Sequence, residues 1–142
     1  MSYYVGCGGI IIVREEFRYL IENKLNLEGT TDPVFVLCKD LGLENLFYRT
    51  VQWEKWVFDR ESGRWDFRVV YNMRHYGDPI DTLMSYVLPY ISREIIEIYE
   101  YDEEHARDWP ADRSRKETLQ NQIRHRDRTI REICEELRKY HT

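Results

Sequence analysis

The sequence is poor in the residues that small catalytic and redox sites need. Three cysteines, Cys7, Cys38 and Cys134, form no C-x-x-C pair and sit beside no histidine pair. Their odd number and wide spacing exclude a disulfide scaffold and a zinc ribbon, and predict reduced thiols. Only four histidines are present, none in a metal-ligand spacing, so neither a metal nor another cofactor is expected. Apolar runs stay far below the roughly 20 residues that cross a bilayer, and no basic, apolar, small-residue leader is visible. The expectation is a protein of the cytoplasm with no membrane contact. Basic residues are also scarce in the body of the chain. Residues 1–104 hold 19 acids and 11 bases, a net of -8, whereas residues 105–142 hold 7 acids and 10 bases, a net of +3. An acidic body argues against direct binding of duplex DNA, which favours a basic one.

What is abundant is aromatic. The 142 residues include 11 tyrosines, five phenylalanines and four tryptophans, enough with the aliphatics for one hydrophobic core. Residues 3–13, YYVGCGGIIIV, read as a strand, and 14–26 as a short amphipathic helix with Phe17, Leu20, Ile21 and Leu25 on one side. Asp32-Pro33 resembles an N-cap followed by proline at the first helical position, with Gly42 as a stop. A strand over Val34–Cys38 is the competing reading. TVQWEKWVFD, the turn Arg60-Glu61-Ser62-Gly63 and RWDFRVVYNMR predict a hairpin over 50–74. On its second strand Trp65, Phe67, Val69, Tyr71 and Met73 alternate with Asp66, Arg68, Val70, Asn72 and Arg74, which predicts one buried face. Asp78-Pro79 opens a helix whose Ile80, Leu83, Met84, Val87 and Ile91 share a side, and residues 94–101 form the last strand. Beyond Pro110, Ser114 and Glu117 make a capping box for a long C-terminal helix.

This order predicts an α+β fold: a ferredoxin-like split β-α-β antiparallel sheet, helices on one face, and an added C-terminal helix. Residues 1–104 form the domain and residues 105–142 the helical appendix.

Motifs of known chemistry are missing. GCGGIII, residues 6–12, could be a phosphate loop, a reactive thiol or a strand crowded by its neighbours. A Walker loop needs lysine and a hydroxyl after its last glycine, and a dinucleotide fingerprint needs glycine at position 11; both positions hold isoleucine. Cys7 has no base or cation among its sequence neighbours. The crowded strand, easing a twist or bulge where a helix packs close, is the reading retained. The acidic run 100–104 lacks the glycine turn of a calcium loop. His75, at a strand end beside a loop, is the candidate for acid–base or binding work. It lacks the second histidine that single-strand transposases pair with a tyrosine like Tyr140, and the hairpin lacks the ribonucleoprotein motif. No enzyme is expected.

On the C-terminal helix, a heptad puts Ile123, Ile130 and Leu137 at one core position and Leu119, Arg126, Ile133 and Tyr140 at the other. Arg124, Arg128, Arg131 and Arg138 form a basic stripe beside it. Arg126 in an apolar stripe needs water, a carboxylate or a phosphate. The readings are a lid on the sheet, a homodimer seam, or an anion site; the dimer is the expectation.

The opening MSYYVGCGGIIIVREEF, the aromatic hairpin and IDTLMSYVLPYISREIIEIYEYDEE are similar to a loose group of small phage and mobile-element proteins. The resemblance covers residues 1–104; the C-terminal helix departs from it. It implies a non-enzymatic inhibitor of anti-CRISPR type that binds and blocks a bacterial defence protein of the host. An acidic face, the basic helix and the aromatics Trp53 and Trp56 would make the contact. The alternative is a sponge that holds a nucleotide signal between protomers through Arg124, Arg126, Arg128 and Arg131.

Overall fold

A computed structural model describes residues 4–26, 28–40, 51–72, 84, 87–102, 111–124, 135 and 139. Strand β1 (Tyr4–Val13) is followed by a 3-10 turn (Glu15–Phe17), α1 (Arg18–Glu22) and α2 (Pro33–Asp40). Strands β2 (Val51–Phe58) and β3 (Arg64–Asn72) come next, then a short α3 (Leu88–Ile91), β4 (Ser92–Asp102) and α4 (Arg113–Arg124). The fold is α+β with a four-stranded sheet in the order β2-β3-β1-β4, every neighbouring pair antiparallel.

The register separates the two faces. Phe58, Trp65, Ile11 and Ile95 lie in one row, and Trp56, Phe67, Gly9 and Ile98 in the next. Trp65, Phe67, Ile11, Ile95 and Ile98 are buried, so these rows form the core side. Phe17, Leu20, Ile21 and Leu25 from the α1 region, Phe35 from α2, Met84, Val87, Leu88 and Ile91, and Leu119 from α4 join the same cluster. The opposite side carries Val57, Asp66, Ile10 and Glu97 in one row and Lys55, Arg68, Gly8 and Tyr99 in the next. There Lys55 pairs with Asp66 at 2.8 Å, and the Arg68 guanidinium lies 5.7 Å from the centre of the Tyr99 ring.

Bulges keep that sorting consistent. Ile10 pairs with Glu97 but Ile11 with Ile95, and Ile12 with Glu94 but Val13 with Ser92, so Ile96 and Arg93 are extra residues. Each insertion restores the alternation, so that Ser92, Ile95 and Ile98 all face inward.

GCGGIII is a strand crowded by its neighbours. A Cβ on Gly9 would lie 2.3 Å from the Glu97 carbonyl oxygen, and one on Gly8 2.6 Å from that of Phe67. The crowding comes from adjacent strands, which corrects the expectation of a close helix. Cys7 is fully buried on the core side, in no disulfide and shut away from solvent.

Other expectations are corrected in detail. The helix expected over 14–26 is a 3-10 turn plus the five residues of α1, because Lys24 (φ 56°) and Leu25 (φ 60°) take left-handed backbone that ends it. That turn drives Leu25 into the core, 2 % exposed. Residues 33–40 are helical, which settles the choice against a strand. Asp32 caps them, its Oδ1 accepting from Phe35 N–H at 3.3 Å while Oδ2 accepts from the Tyr90 hydroxyl at 2.9 Å. The last strand extends to 92–102. Asp112, rather than Ser114, caps α4: its Oδ1 accepts from Arg115 N–H at 2.8 Å, and its own N–H donates to Ile98 O at 2.8 Å. Docking on β4 therefore chooses the cap. The helix expected from Asp78-Pro79 starts outside the described residues. No helix among those described is long and apolar enough to cross a membrane.

Candidate functional site

The edge strand β2 carries the feature least explained by core formation. Strict alternation would send Trp53 and Trp56 to opposite sides of the sheet. Trp53 pairs with Val69 and Lys55 with Arg68, so Glu54 is an inserted residue and both tryptophans reach the core side. Their ring centroids are 4.5 Å apart and nearly perpendicular, at 76°. Trp56 packs on Trp65 at 4.8 Å, and Trp65 stacks on Phe67 at 4.2 Å. Trp65 and Phe67 are fully buried, whereas Trp53 and Trp56 are only partly so and form a ledge along the edge. Trp65 Nε1 is buried with no hydrogen-bond partner among the described residues. The Lys24 ammonium lies over the Trp56 ring, 4.6 Å from its centre. On the other side of the same strand Val57 is 60 % exposed, and Glu54 is exposed at the bulge.

The basic helix supplies a second candidate. Lys116, Glu117, Gln120, Asn121 and Arg124 line an open depression of about 440 Å³. Two cations and two carboxamides could hold an anion there, with Glu117 opposing it. Gln120 is anchored, its Nε2 donating to Ile95 O at 2.9 Å. The described part of the apolar stripe is spent inside the chain: Leu119 is in the core and Ile123 packs against it. Of the residues expected to bind, Trp53 and Trp56 meet on one ledge and Arg124 rims the depression. Arg126, Arg128, Arg131, Tyr140 and His75 lie outside the described residues.

Where α4 meets β4, Glu100 approaches Asp112 and Arg115. Burial pushes the Glu100 carboxyl up to about 7, helped by the hydrogen bond and charge of Asp112 and opposed by Arg115. Arg115 Nε lies 3.9 Å from Glu100 Oε1. Asp112 is held below the usual carboxylate range, first by the Arg115 backbone N–H. Because Glu100 binds its proton more tightly when folded, its contribution is complete below its ordinary 4.5 and is lost as pH rises through about 7. Asp112 acts in the opposite sense: its contribution is present above its ordinary 3.8 and is lost as pH falls. With the Glu100 side chain 47 % exposed, solvent keeps the effect small. The expected result is a shallow fall in melting temperature between about pH 5 and 8, flattened by Glu100→Gln, whose amide still donates to Asp112. A slope unchanged in the variant would place its origin elsewhere.

Among the described residues no group of three or more His, Cys, Asp or Glu side chains is placed to hold a metal ion. Compared with known proteins, the chain matches no family model, no curated protein and no solved structure. Its class is set by architecture alone, a four-stranded antiparallel α+β protein. Sequence reasoning missed Lys24, Val57 and Asp112. Strict alternation would place Val57 on the side of Trp53, so its exposure follows only from the bulge at Glu54; the other two depend on contacts distant in sequence.

Proposed function

We propose that this chain is a binding protein without chemistry of its own, an inhibitor of phage type that docks on a bacterial defence protein and blocks it. The sheet order β2-β3-β1-β4, with β1 and β2 separated by β3, supports a ferredoxin-like split β-α-β arrangement for its body. The observation that carries the binding reading is the β2 edge. Two tryptophans are brought to one side by a bulge and left partly open, with exposed Val57 on the other side. Aromatic anchors at a rim of charge are the composition of interface centres.

The test is capture of a stoichiometric partner from lysate of the bacterial host, with the wild type beside Val57→Glu. Val57 is exposed, so the substitution leaves the core intact while placing an unpaired charge in the contact. The variant is expected to recover less than about a tenth of the partner, the loss that follows from burying such a charge. Equal recovery, or no partner for the wild type, would overturn the reading.

The depression on α4 favours a second reading, a sponge for a nucleotide signal, because Lys116 and Arg124 stand about it. Thermal-shift measurements against a nucleotide panel, repeated with Lys116→Ala/Arg124→Ala, separate the two.

A further inference from the structure

The geometry points to the face of the Trp56 ring beneath Lys24 as a seat for a guanidinium or ammonium group of the protein partner, filled in the free chain by Lys24. This rests on the reading that the β2 edge docks a protein, and it names the chemistry recognised there. An indole face carries the negative lobe of the ring quadrupole and attracts cations more strongly than other aromatic faces do. Lys24 Nζ, 4.6 Å from the ring centre, marks the position such a charge takes. An anion in the same place would be repelled.

The resident is placed to leave. Lys24 follows the end of α1, and the left-handed turn through Lys24 and Leu25 is held by backbone bonds. Lys24 N–H donates to Ile21 O at 3.1 Å and Leu25 N–H to Leu20 O at 2.7 Å. The backbone position therefore does not depend on where the Lys24 side chain goes. Among the described residues its ammonium has no carboxylate partner, so displacement breaks no ion pair; nearby Glu22 is engaged by Arg60 at 3.0 Å. Glu54, exposed at the bulge between Trp53 and Lys55, adds negative charge beside the ledge. The net of -8 over residues 1–104 draws a cationic surface toward this part of the chain.

The probe is the peptide acetyl-Gly-Arg-Gly-amide, titrated into the full chain while the indole N–H signals of Trp53 and Trp56 are followed by NMR. Its citrulline counterpart is the uncharged control. Lys24→Asn vacates the seat and suits a left-handed backbone. The arginine peptide is expected to shift both signals, and Lys24→Asn to lower the midpoint about three- to ten-fold. Trp56→Leu should abolish the response. If that variant loses its fold, Trp56→Phe, read on Trp53, replaces it and should bind more weakly than the wild type. Equal midpoints for wild type and Lys24→Asn, a citrulline peptide as effective as arginine, or a Trp56→Phe midpoint equal to wild type would each overturn the assignment. No lysate partner enters this experiment. Its failure beside successful capture would remove the cation seat alone, and a vacated seat that binds arginine beside failed capture would remove the inhibitor reading alone.

Discussion

Gly9→Ala is expected to cost about 3 kcal/mol, the upper range for overpacking a core, and to lower the melting temperature by roughly 6–12 °C. The added Cβ would lie 2.3 Å from the Glu97 carbonyl oxygen and 3.0 Å from Ile98 Cδ1. A methyl and a backbone oxygen cannot share that space, so β1 and β4 must separate locally. β4 has little freedom to move. On its core side Ile95 and Ile98 are buried, and its carbonyls at those two positions hold α4 through Gln120 and Asp112. Gly29→Ala separates sterics from backbone preference. Gly29 has φ 79° and, among the described residues, nothing within 4 Å of the new Cβ, so the left-handed penalty of about 1 kcal/mol is what applies. Thermal unfolding of the two variants side by side decides the matter: equal losses would mean that the close approach at Gly9 relaxes without cost.

This contact shows how far the sequence could be read. Three glycines in an otherwise β-branched run require a close approach of something, yet one strand cannot name what approaches it. The alternation from Trp65 to Tyr71 was legible because burial on one side of a strand writes itself into every second residue. β2 was legible as a strand, but its facing was not. The bulge at Glu54 arises in pairing with β3, and nothing within TVQWEKWVFD marks Glu54 as the inserted residue. The Lys24 seat was hidden for the same reason: it joins residues 32 positions apart across a helix exit whose two left-handed positions are lysine and leucine, with the asparagines only flanking them. At the α4 cap, Ser114 with Glu117 and Asp112 were both chemically adequate. The Ile98 carbonyl decided between them by taking the Asp112 N–H.

Arg18→Ala is expected to destabilise the chain by about 2–3 kcal/mol and to loosen the site together with the fold. The Arg18 guanidinium donates to four carbonyls: Val13 O through Nε at 3.1 Å, Arg60 O and Glu61 O through Nη1 at 3.2 and 2.9 Å, and Ser62 O through Nη2 at 3.3 Å. A planar fork that stays charged is suited to holding a turn whose carbonyls converge. The carbonyls of residues 60–62 recover water when it goes, so the cost is far below four separate bonds. Val13 O is harder to rehydrate, because Val13 is buried and its N–H is already bonded to Gly63 O at 2.8 Å. The same guanidinium limits Gly63, where a Cβ would meet Arg18 Nε at 2.6 Å and Val13 O at 2.6 Å with φ at 80°. Gly63→Ala should therefore cost less in the Arg18→Ala background than in the wild type, since the clash with the guanidinium has gone and only that with Val13 O is left. Strict additivity in denaturant unfolding would mean that the two residues act independently. Arg18 also opens α1, whose far end leads into Lys24, so the hairpin loop and the Trp56 seat are tied through one short helix. In Arg18→Ala that tie is cut, and the indole N–H signal of Trp56 should move toward its position in Lys24→Asn. A Trp56 signal unchanged in a destabilised Arg18→Ala chain would show that the seat is set by β2 alone.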